Sequence, residues 1–133
     1  MHTGSCLCGR VAYQYEGEIH EISRCYCNQC QKAQGGAFVA VAPVFAAKFT
    51  LLRGQEYLKT FRASPAKTRV FCAECGSPLF SARDDLPEMM RLRLGSLDTQ
   101  VSTTHQYHAY VSQKVDWYDI QDEYPRHLQK PDC

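Results

Sequence analysis

The sequence predicts a mainly β domain whose strands are mostly antiparallel, and three observations lead to this fold class. Short apolar or alternating segments recur along the 133 residues and are separated by glycine and proline. Only one segment has a convincing helical composition. Seven of the eight cysteines lie in compact clusters. Strands at short intervals are typical of antiparallel sheets, and clustered thiols are typical of metal sites that pin turns.

The first predicted strand lies within residues 9–17, which glycines bound at both ends. Val11, Tyr13 and Tyr15 alternate with polar residues, as one buried face of a half-exposed strand requires. Residues 28–34 have helical composition and precede Gly35 and Gly36, which are natural helix stops. The sequence thus predicts one short helix.

The rest of the chain predicts further short strands in a single domain. The turn at Gly95-Ser96-Leu97-Asp98 separates the later ones, and the polar end of the chain, with two prolines, favours an extended tail. We expect one domain over residues 2–125 and a polar C-terminal tail over 126–133. The remaining strand predictions cover residues 37–42 (ending at Pro43), 48–53, 56–62, 68–71, 78–82, 90–94, 107–111 and 115–120.

Composition limits the function classes. Fifteen Lys and Arg against fourteen Asp and Glu leave a formal charge of +1, and no basic run of five residues occurs, which argues against binding to nucleic acid or anionic membranes. The first residues lack a signal-peptide pattern, and no apolar stretch approaches the ~20 residues of a membrane span. We therefore expect a cytoplasmic protein, where clustered thiols are more often metal ligands or redox centres than disulfides.

Two cysteine pairs from distant parts of the chain predict a structural zinc site. A tetrahedral site needs sulfurs at roughly 2.3 Å from one metal, and short Cys-x-Cys and Cys-x-x-Cys loops bring them there. Gly76, directly after the second pair, fits the turn of a zinc knuckle. The four predicted ligands are Cys6, Cys8, Cys72 and Cys75.

The three cysteines left over, Cys25, Cys27 and Cys30, predict a second zinc site of the catalytic kind. Three protein ligands with one open position are typical of catalytic zinc. Cys30 in the first turn of the predicted helix would be favoured as thiolate, the form that binds metal. A second assignment joins the triad to one outside cysteine. Cys133, the last residue, is expected to be an exposed thiol.

These motifs together resemble the glutathione-dependent formaldehyde-activating enzyme (GFA) family, also called the centromere protein V/GFA domain. The resemblance extends in order from Gly4 to about Pro125. Tyr26 stands between the first two cysteines of the triad, where family members often have histidine. The motifs are Gly4-Ser5-Cys6-Leu7-Cys8-Gly9, Cys25-x-Cys27-x-x-Cys30, Phe71-Cys72-x-x-Cys75-Gly76, Gly95-Ser96-Leu97-Asp98, and the late His108 and Trp117.

The resemblance implies the antiparallel β-tent fold around two zinc ions per chain, with few short helices. It implies a carbon–sulfur lyase that adds glutathione or a similar thiol to a small aldehyde such as formaldehyde. The outer cysteine pairs would hold the structural zinc and the triad the catalytic one, which agrees with the ligand count from spacing. Zinc could activate the thiol or polarise the carbonyl, and three thiolates favour thiol activation.

Several other residues are candidates for supporting roles. His108 is a weak candidate for proton transfer, Asp98 is expected to accept hydrogen bonds in its turn, and Trp117 is expected in the core. Cations near the sulfurs would offset their negative charge or bind substrate carboxylates. Arg24, Lys32 and Arg69 are the first choices for this role, with Arg62 and Arg91 as others.

Two other functions compete with the lyase. A zinc-stabilised protein-binding module without turnover would need a fourth ligand at the triad. A dithiol redox protein would use Cys72-x-x-Cys75 or Cys27-x-x-Cys30 and bind little metal, but it would leave the remaining clusters unexplained.

Overall fold

The computed structural model describes residues 1–130, so the prediction for Cys133 lies outside the described residues. Within them are ten strands and one α-helix. The helix, α1, is Asn28–Gln34. The strands are β1 His2–Ser5, β2 Ala12–Tyr15, β3 Ile22–Cys25, β4 Val39–Phe45, β5 Phe49–Arg53, β6 Leu58–Ser64, β7 Lys67–Cys72, β8 Pro78–Arg83, β9 Met89–Arg93 and β10 Gln106–Ala109. Short 3-10 turns lie at Ala46–Lys48, Gln55–Tyr57, Leu94–Ser96 and Val111–Gln113.

The strands form two sheets. One has the order β1-β2-β5, and the other has the order β10-β3-β4-β9-β8-β7-β6. Every pairing between strands of residues 1–130 is antiparallel except β10 with β3, which is parallel. The prediction of a mainly β, largely antiparallel fold with few short helices is therefore confirmed. In residues 1–130 no helix has the length and apolar character that a membrane crossing needs.

The main core lies where the two sheets face each other. Tyr13 and Tyr15 of β2 are buried, as the alternation predicts, and they cluster with apolar residues of β4, β8 and β9. Both hydroxyls have partners: Tyr13 Oη lies 2.7 Å from Ser96 Oγ, and Tyr15 Oη accepts from the Phe45 N–H at 3.2 Å. These hydrogen bonds offset the free-energy cost of removing the two hydroxyls from water.

The predicted helix is confirmed at both ends. Cys27 is its N-cap, and Gly35 adopts a left-handed conformation (φ 69°) as its C-cap, with its N–H donating to the Gln31 carbonyl. Glycine adopts this conformation without the steric cost that a Cβ imposes. Cys30 lies in the first turn of the helix, as expected, and the structure shows that it is fully buried.

Pro43 does not end a strand as predicted, because β4 continues through it to Phe45. The pairing of β4 with β3 stops at Val41, while its pairing with β9 continues. The N–H of Phe45, two residues on, points to Tyr15 rather than to β9. Residues 43 and 45 are two apart on the strand, so an N–H at position 43 would also point away from β9. Proline, which has no N–H, therefore costs the pairing with β9 no hydrogen bond.

The strand predicted at 115–120 is wrong, and so is the buried position expected for Trp117. Residues 115–120 form no strand, and Lys114 Nζ donates to the carbonyls of Val115 and Tyr118, which closes a turn. Trp117 is 71% exposed. The apolar spacing that suggested a strand reflects aromatic side chains on a turn.

Two pairings were not foreseen. β1 pairs with β2, and Gly4 also bridges Leu97. Near the C-terminus, residues 125–128 lie along β10: His108 N–H donates to Pro125 O, His127 N–H to His108 O, and Val111 N–H to His127 O. This segment therefore covers the outer side of β10, next to the strand that carries Cys25.

Candidate metal centres

The sulfur atoms of Cys6, Cys8, Cys72 and Cys75 lie within 4.8 Å of one another. The first pair sits on a tight loop after β1, in which the Gly9 N–H donates to the Cys6 carbonyl. The second pair follows β7, and Gly76 (φ 77°) lets its N–H turn back to the Cys72 carbonyl at 2.8 Å. This cluster, called the four-cysteine cluster below, joins the two ends of the chain segment 6–75.

Hydrogen bonds around the four-cysteine cluster favour the thiolate form at some of its sulfurs. A hydrogen bond from the Ser77 hydroxyl is the main cause that lowers the pKa of Cys75 to about 5. Hydrogen bonds from Arg10 lower the pKa of Cys8. Burial raises the pKa of Cys72 to about 11, because a buried thiolate loses its hydration. Val11 N–H also donates to Cys6 Sγ at 3.3 Å.

The sulfur atoms of Cys25, Cys27 and Cys30 likewise lie within 4.8 Å of one another. Cys25 ends β3, where it pairs with Val39 of β4 and Ala109 of β10. Cys27 Sγ caps α1 by accepting the Cys30 N–H at 3.4 Å. Cys25 and Cys30 are buried and Cys27 is half-buried, so a ligand would approach this cysteine triad from the side of Cys27.

Gln31 fastens the loop that carries the triad. Its Nε2 donates to the Tyr26 carbonyl at 2.6 Å and to the Gln113 carbonyl at 2.9 Å. Gln113 in turn accepts the Asn28 N–H through its side chain. Gln31, the residue after the third cysteine, therefore uses its side-chain amide to hydrogen-bond backbone carbonyls around the triad.

Three cations lie beside the triad: Lys67, Arg69 and Arg93, called the basic cluster below. Arg69 Nη2 contacts Cys30 Sγ at 3.8 Å, in agreement with the expected charge-offsetting role. Arg93 is buried and donates to Ser81 Oγ at 3.0 Å and to the Arg91 carbonyl at 3.2 Å. Lys67 is also buried. Buried cations of this kind require nearby negative charge or polar partners.

The cysteines of the triad and the cations beside them shift one another's pKa values. A hydrogen bond with Cys27 is the main cause that lowers the pKa of Cys30 to about 5, and Arg69 adds to it. The same pairing raises the pKa of Cys27, which keeps the proton. Burial lowers the pKa of Lys67 to about 8 and that of Arg93 to about 10, and the charge of Arg69 contributes to both. A thiolate at Cys30 therefore sits among three positive groups.

The sequence named Arg69 but missed the other two members of the basic cluster. Lys67 shares a strand face with Arg69, since residues two apart on β7 point to the same side. Arg93 was expected on a half-exposed strand, yet it is 3% exposed. The alternation of apolar and basic residues along β9 predicts one buried and one exposed face, whereas in the structure Arg93 on the basic face is buried as well.

The other predicted cations are outside the basic cluster, although Lys32 lines a cavity next to it and Arg91 lines a smaller one with Cys25 and Arg93. Arg24 donates to Gln106 Oε1 at 2.8 Å, and Lys32 is exposed. Arg62 is paired with Asp84. Asp98 accepts from the Ser5 hydroxyl at 2.8 Å and its N–H donates to the Thr3 carbonyl, which holds β1 beside its turn.

His108 belongs to a chain of hydrogen bonds that is buried at Tyr26 and His108 and half-exposed at Asp122. Its Nδ1 lies 2.8 Å from Tyr26 Oη, and its Nε2 lies 2.8 Å from Asp122 Oδ1. Tyr26 and His108 are almost fully buried. The bond with His108 is the main cause that lowers the pKa of Asp122. Because both ring nitrogens are engaged, the arrangement favours a positioning role for His108 over proton transfer.

Cavities flank the basic cluster. One of about 330 Å³ is lined by Arg69 and Arg93 together with aromatic side chains that include Phe61 and Phe80. An adjoining one of about 340 Å³ shares Arg69 and Phe61 and adds Lys32. Gln34 Oε1, in the wall of the first cavity, is buried without a hydrogen-bond partner among residues 1–130. These spaces present positive charge and apolar surface to a ligand.

Both cysteine clusters fit zinc. Thiolates are ligands that zinc prefers, four of them make a closed site, and three leave a position open. Neighbouring N–H groups and cations already offset the negative charge that the sulfurs would carry. The four-cysteine cluster could therefore hold one metal ion, and so could the triad once Cys25, which is disulfide-bonded in this structure, is reduced.

Comparison with known proteins agrees with this geometry. A model of the family described as "Glutathione-dependent formaldehyde-activating enzyme" matches residues 1–113. A crystal structure of a protein from Rhodobacter sphaeroides superposes with a TM-score of 0.61 at 21% sequence identity, covering 77% of this chain and 99% of that chain. At this identity the likeness shows that the fold is shared.

Proposed function

The chain belongs to the glutathione-dependent formaldehyde-activating enzyme family, and from this premise we propose that it is a zinc-dependent carbon–sulfur lyase that joins a thiol to a small aldehyde. Glutathione, or a similar anionic thiol, and formaldehyde are the proposed substrates. The proposed metal ligands are the four-cysteine cluster for a structural zinc and the cysteine triad for a catalytic one.

The observation that carries the proposal is the pairing of the cysteine triad with the basic cluster. Three sulfurs within 4.8 Å could hold zinc and leave one position of a tetrahedral site open, which supports the proposal. The cations supply positive charge where an anionic substrate would approach, and Arg69 both contacts Cys30 Sγ and lines the neighbouring cavity.

The reaction balances without an oxidant or reductant. The thiol sulfur forms a bond to the aldehyde carbon, the carbonyl π bond breaks, and the thiol proton ends on the new hydroxyl oxygen. Zinc held by Cys25, Cys27 and Cys30 would supply thiol activation or carbonyl polarisation.

The remaining work falls to side chains of this chain. Arg69, at the wall of the cavity, is placed to bind a carboxylate of the thiol substrate while its Nη2 offsets the charge on Cys30. Arg93 adds positive charge from a buried position, and Phe61 offers apolar surface beside it. These residues bind and orient the substrate.

The test combines metal content with turnover. Native mass spectrometry of protein purified without chelator should show two zinc ions per chain, and Cys27→Ser should show one. Exchange between ¹³C-formaldehyde and its glutathione adduct, followed by NMR, should be faster with wild-type protein than without it. Cys27→Ser should lose the acceleration while its far-UV circular dichroism spectrum stays that of a folded β protein.

Two results would contradict the proposal. Zinc at the triad without acceleration for glutathione or other small thiols would refute the lyase and favour a zinc-stabilised binding module. Absence of zinc with thiols that cycle to disulfides would favour the redox alternative.

A further inference from the structure

The chain of hydrogen bonds from Tyr26 through His108 to Asp122 has no role in the function proposed above. We propose that these three residues are positioning residues, through which the C-terminal segment holds the Cys25–Cys27 loop in its metal-binding shape. Retention of metal by the cysteine triad then depends on Asp122, a residue far from the triad in sequence. This inference rests on metal binding at the triad and does not require lyase activity.

The hydrogen-bond roles in the chain follow from Asp122. A carboxylate can only accept, so His108 Nε2 carries the proton in their 2.8 Å contact. In the neutral ring Nδ1 then accepts, and Tyr26 Oη donates to it at 2.8 Å. The carboxylate thus fixes the tautomer of His108, and the tautomer fixes the direction of the Tyr26 hydroxyl.

Tyr26 transmits this restraint because it lies between two proposed ligands. Its N–H donates to the Ala109 carbonyl at 3.0 Å, and its own carbonyl accepts from Gln31 Nε2 at 2.6 Å. Its ring packs against Phe38 and Tyr118, with ring centroids 5.3 and 6.2 Å away. With the hydroxyl also held, Tyr26 has little freedom, and neither have the two sulfurs beside it.

Asp122 is itself held by the C-terminal segment. Its Oδ1 accepts the Tyr124 N–H at 3.0 Å, and its carbonyl accepts from Arg126 Nη2 at 3.1 Å. Arg126 bridges to His108 in a parallel pairing. The residues that match the family end at 113. The acceptor that ends the hydrogen-bond chain therefore lies outside the part of the chain that the family match covers.

The expected loss of zinc affinity follows from the known effect of residues that hydrogen-bond to metal ligands and orient them. Removing such a partner typically weakens metal binding by about 10–100-fold. The hydrogen bonds described for the four-cysteine cluster within residues 1–130 involve neither Tyr26, His108 nor Asp122, so this cluster serves as an internal reference.

The experiment measures zinc release to excess chromophoric chelator from the full chain loaded with zinc. Variants Asp122→Ala and Tyr26→Phe should each weaken zinc binding at the triad about 10–100-fold and leave release from the four-cysteine cluster at the wild-type rate. Asp119→Ala is the matched control, because Asp119 is an exposed aspartate of the same segment. Asp122→Asn keeps an acceptor oxygen and should recover much of the loss.

A second readout separates positioning from general weakening of the fold. With Co²⁺ in place of zinc, the d–d absorption of the triad site should change in Tyr26→Phe, which removes one hydroxyl and keeps the ring. Wild-type zinc release and an unchanged Co²⁺ spectrum in both Tyr26→Phe and Asp122→Ala would overturn the inference. Equal acceleration of release from both clusters would also overturn it, since that result means loss of stability throughout.

Discussion

Arg69 should set how easily Cys30 loses its proton in the metal-free protein. Replacing it with methionine keeps an unbranched apolar side chain and removes both the charge and the contact between Nη2 and Cys30 Sγ at 3.8 Å. Since this contact lowers the pKa of Cys30, which lies at about 5, the Arg69→Met variant should have a higher value.

The size of the change can be worked out from the geometry. Hydrogen bonds to charged groups contribute roughly 1.5–3 kcal/mol. The contact is long and Arg69 is half-exposed, so solvent screening places its contribution at or below the lower end. About 1.4 kcal/mol corresponds to one pKa unit. We therefore expect the pKa of Cys30 to rise by about one unit.

The measurement is a pH titration of the Cys30 ¹³Cβ chemical shift by NMR in reduced, metal-free protein labelled at cysteine. Arg62→Met is the matched control, because Arg62 is an exposed arginine on the neighbouring strand that is paired with Asp84. An unchanged midpoint in Arg69→Met would show that the hydrogen bond with Cys27 alone sets the ionisation of Cys30. A rise of equal size in Arg62→Met would point to long-range charge rather than the contact.

Three further predictions test the fold. Burial raises the pKa of Tyr13 to about 12, so the unfolded chain loses this proton first and the free energy of unfolding should fall between about pH 10 and pH 12; urea denaturation should show a shallower fall in Tyr13→Phe. Gly4→Ala should destabilise the protein by about 1–3 kcal/mol, because its Cβ would lie 2.2 Å from the Tyr13 ring, which Ser96 holds in place; Gly95→Ala, with no atom within 4 Å, should stay within about 0.5 kcal/mol of wild type in the same assay. In zinc-loaded protein, Cys8→Ser should lower the urea midpoint more than Cys27→Ser does, because the four-cysteine cluster closes a much longer loop; equal midpoints would contradict this reasoning.

The sequence was most informative where local chemistry decides the structure. Helix α1 was predicted to the residue, because Gly35 supplies the left-handed stop. Both cysteine clusters were predicted from spacing, because Cys-x-Cys and Cys-x-x-Cys loops hold their sulfur atoms close together. β7 and β8 lie within a residue or two of their predicted bounds.

The sequence was least informative where distant segments decide. Pro43 stands inside a strand because β3 ends before it, and Arg93 is buried because its alternate face is also covered. Trp117 is exposed although its type favours burial. The partners of His108 come from residues 26 and 122, and no spacing rule joins them.

Cys27 has two roles at once, since its sulfur caps α1 and is also a proposed metal ligand. A helix of seven residues has little stability alone, because nucleation costs more than so few hydrogen bonds return. Folding of the helix and binding of the metal ion are therefore coupled: a bound metal should increase the folded population of α1, and a folded α1 should increase metal affinity. Amide exchange in residues 28–34 would then act as a built-in gauge of zinc availability, with fast exchange at low zinc and slow exchange at high zinc.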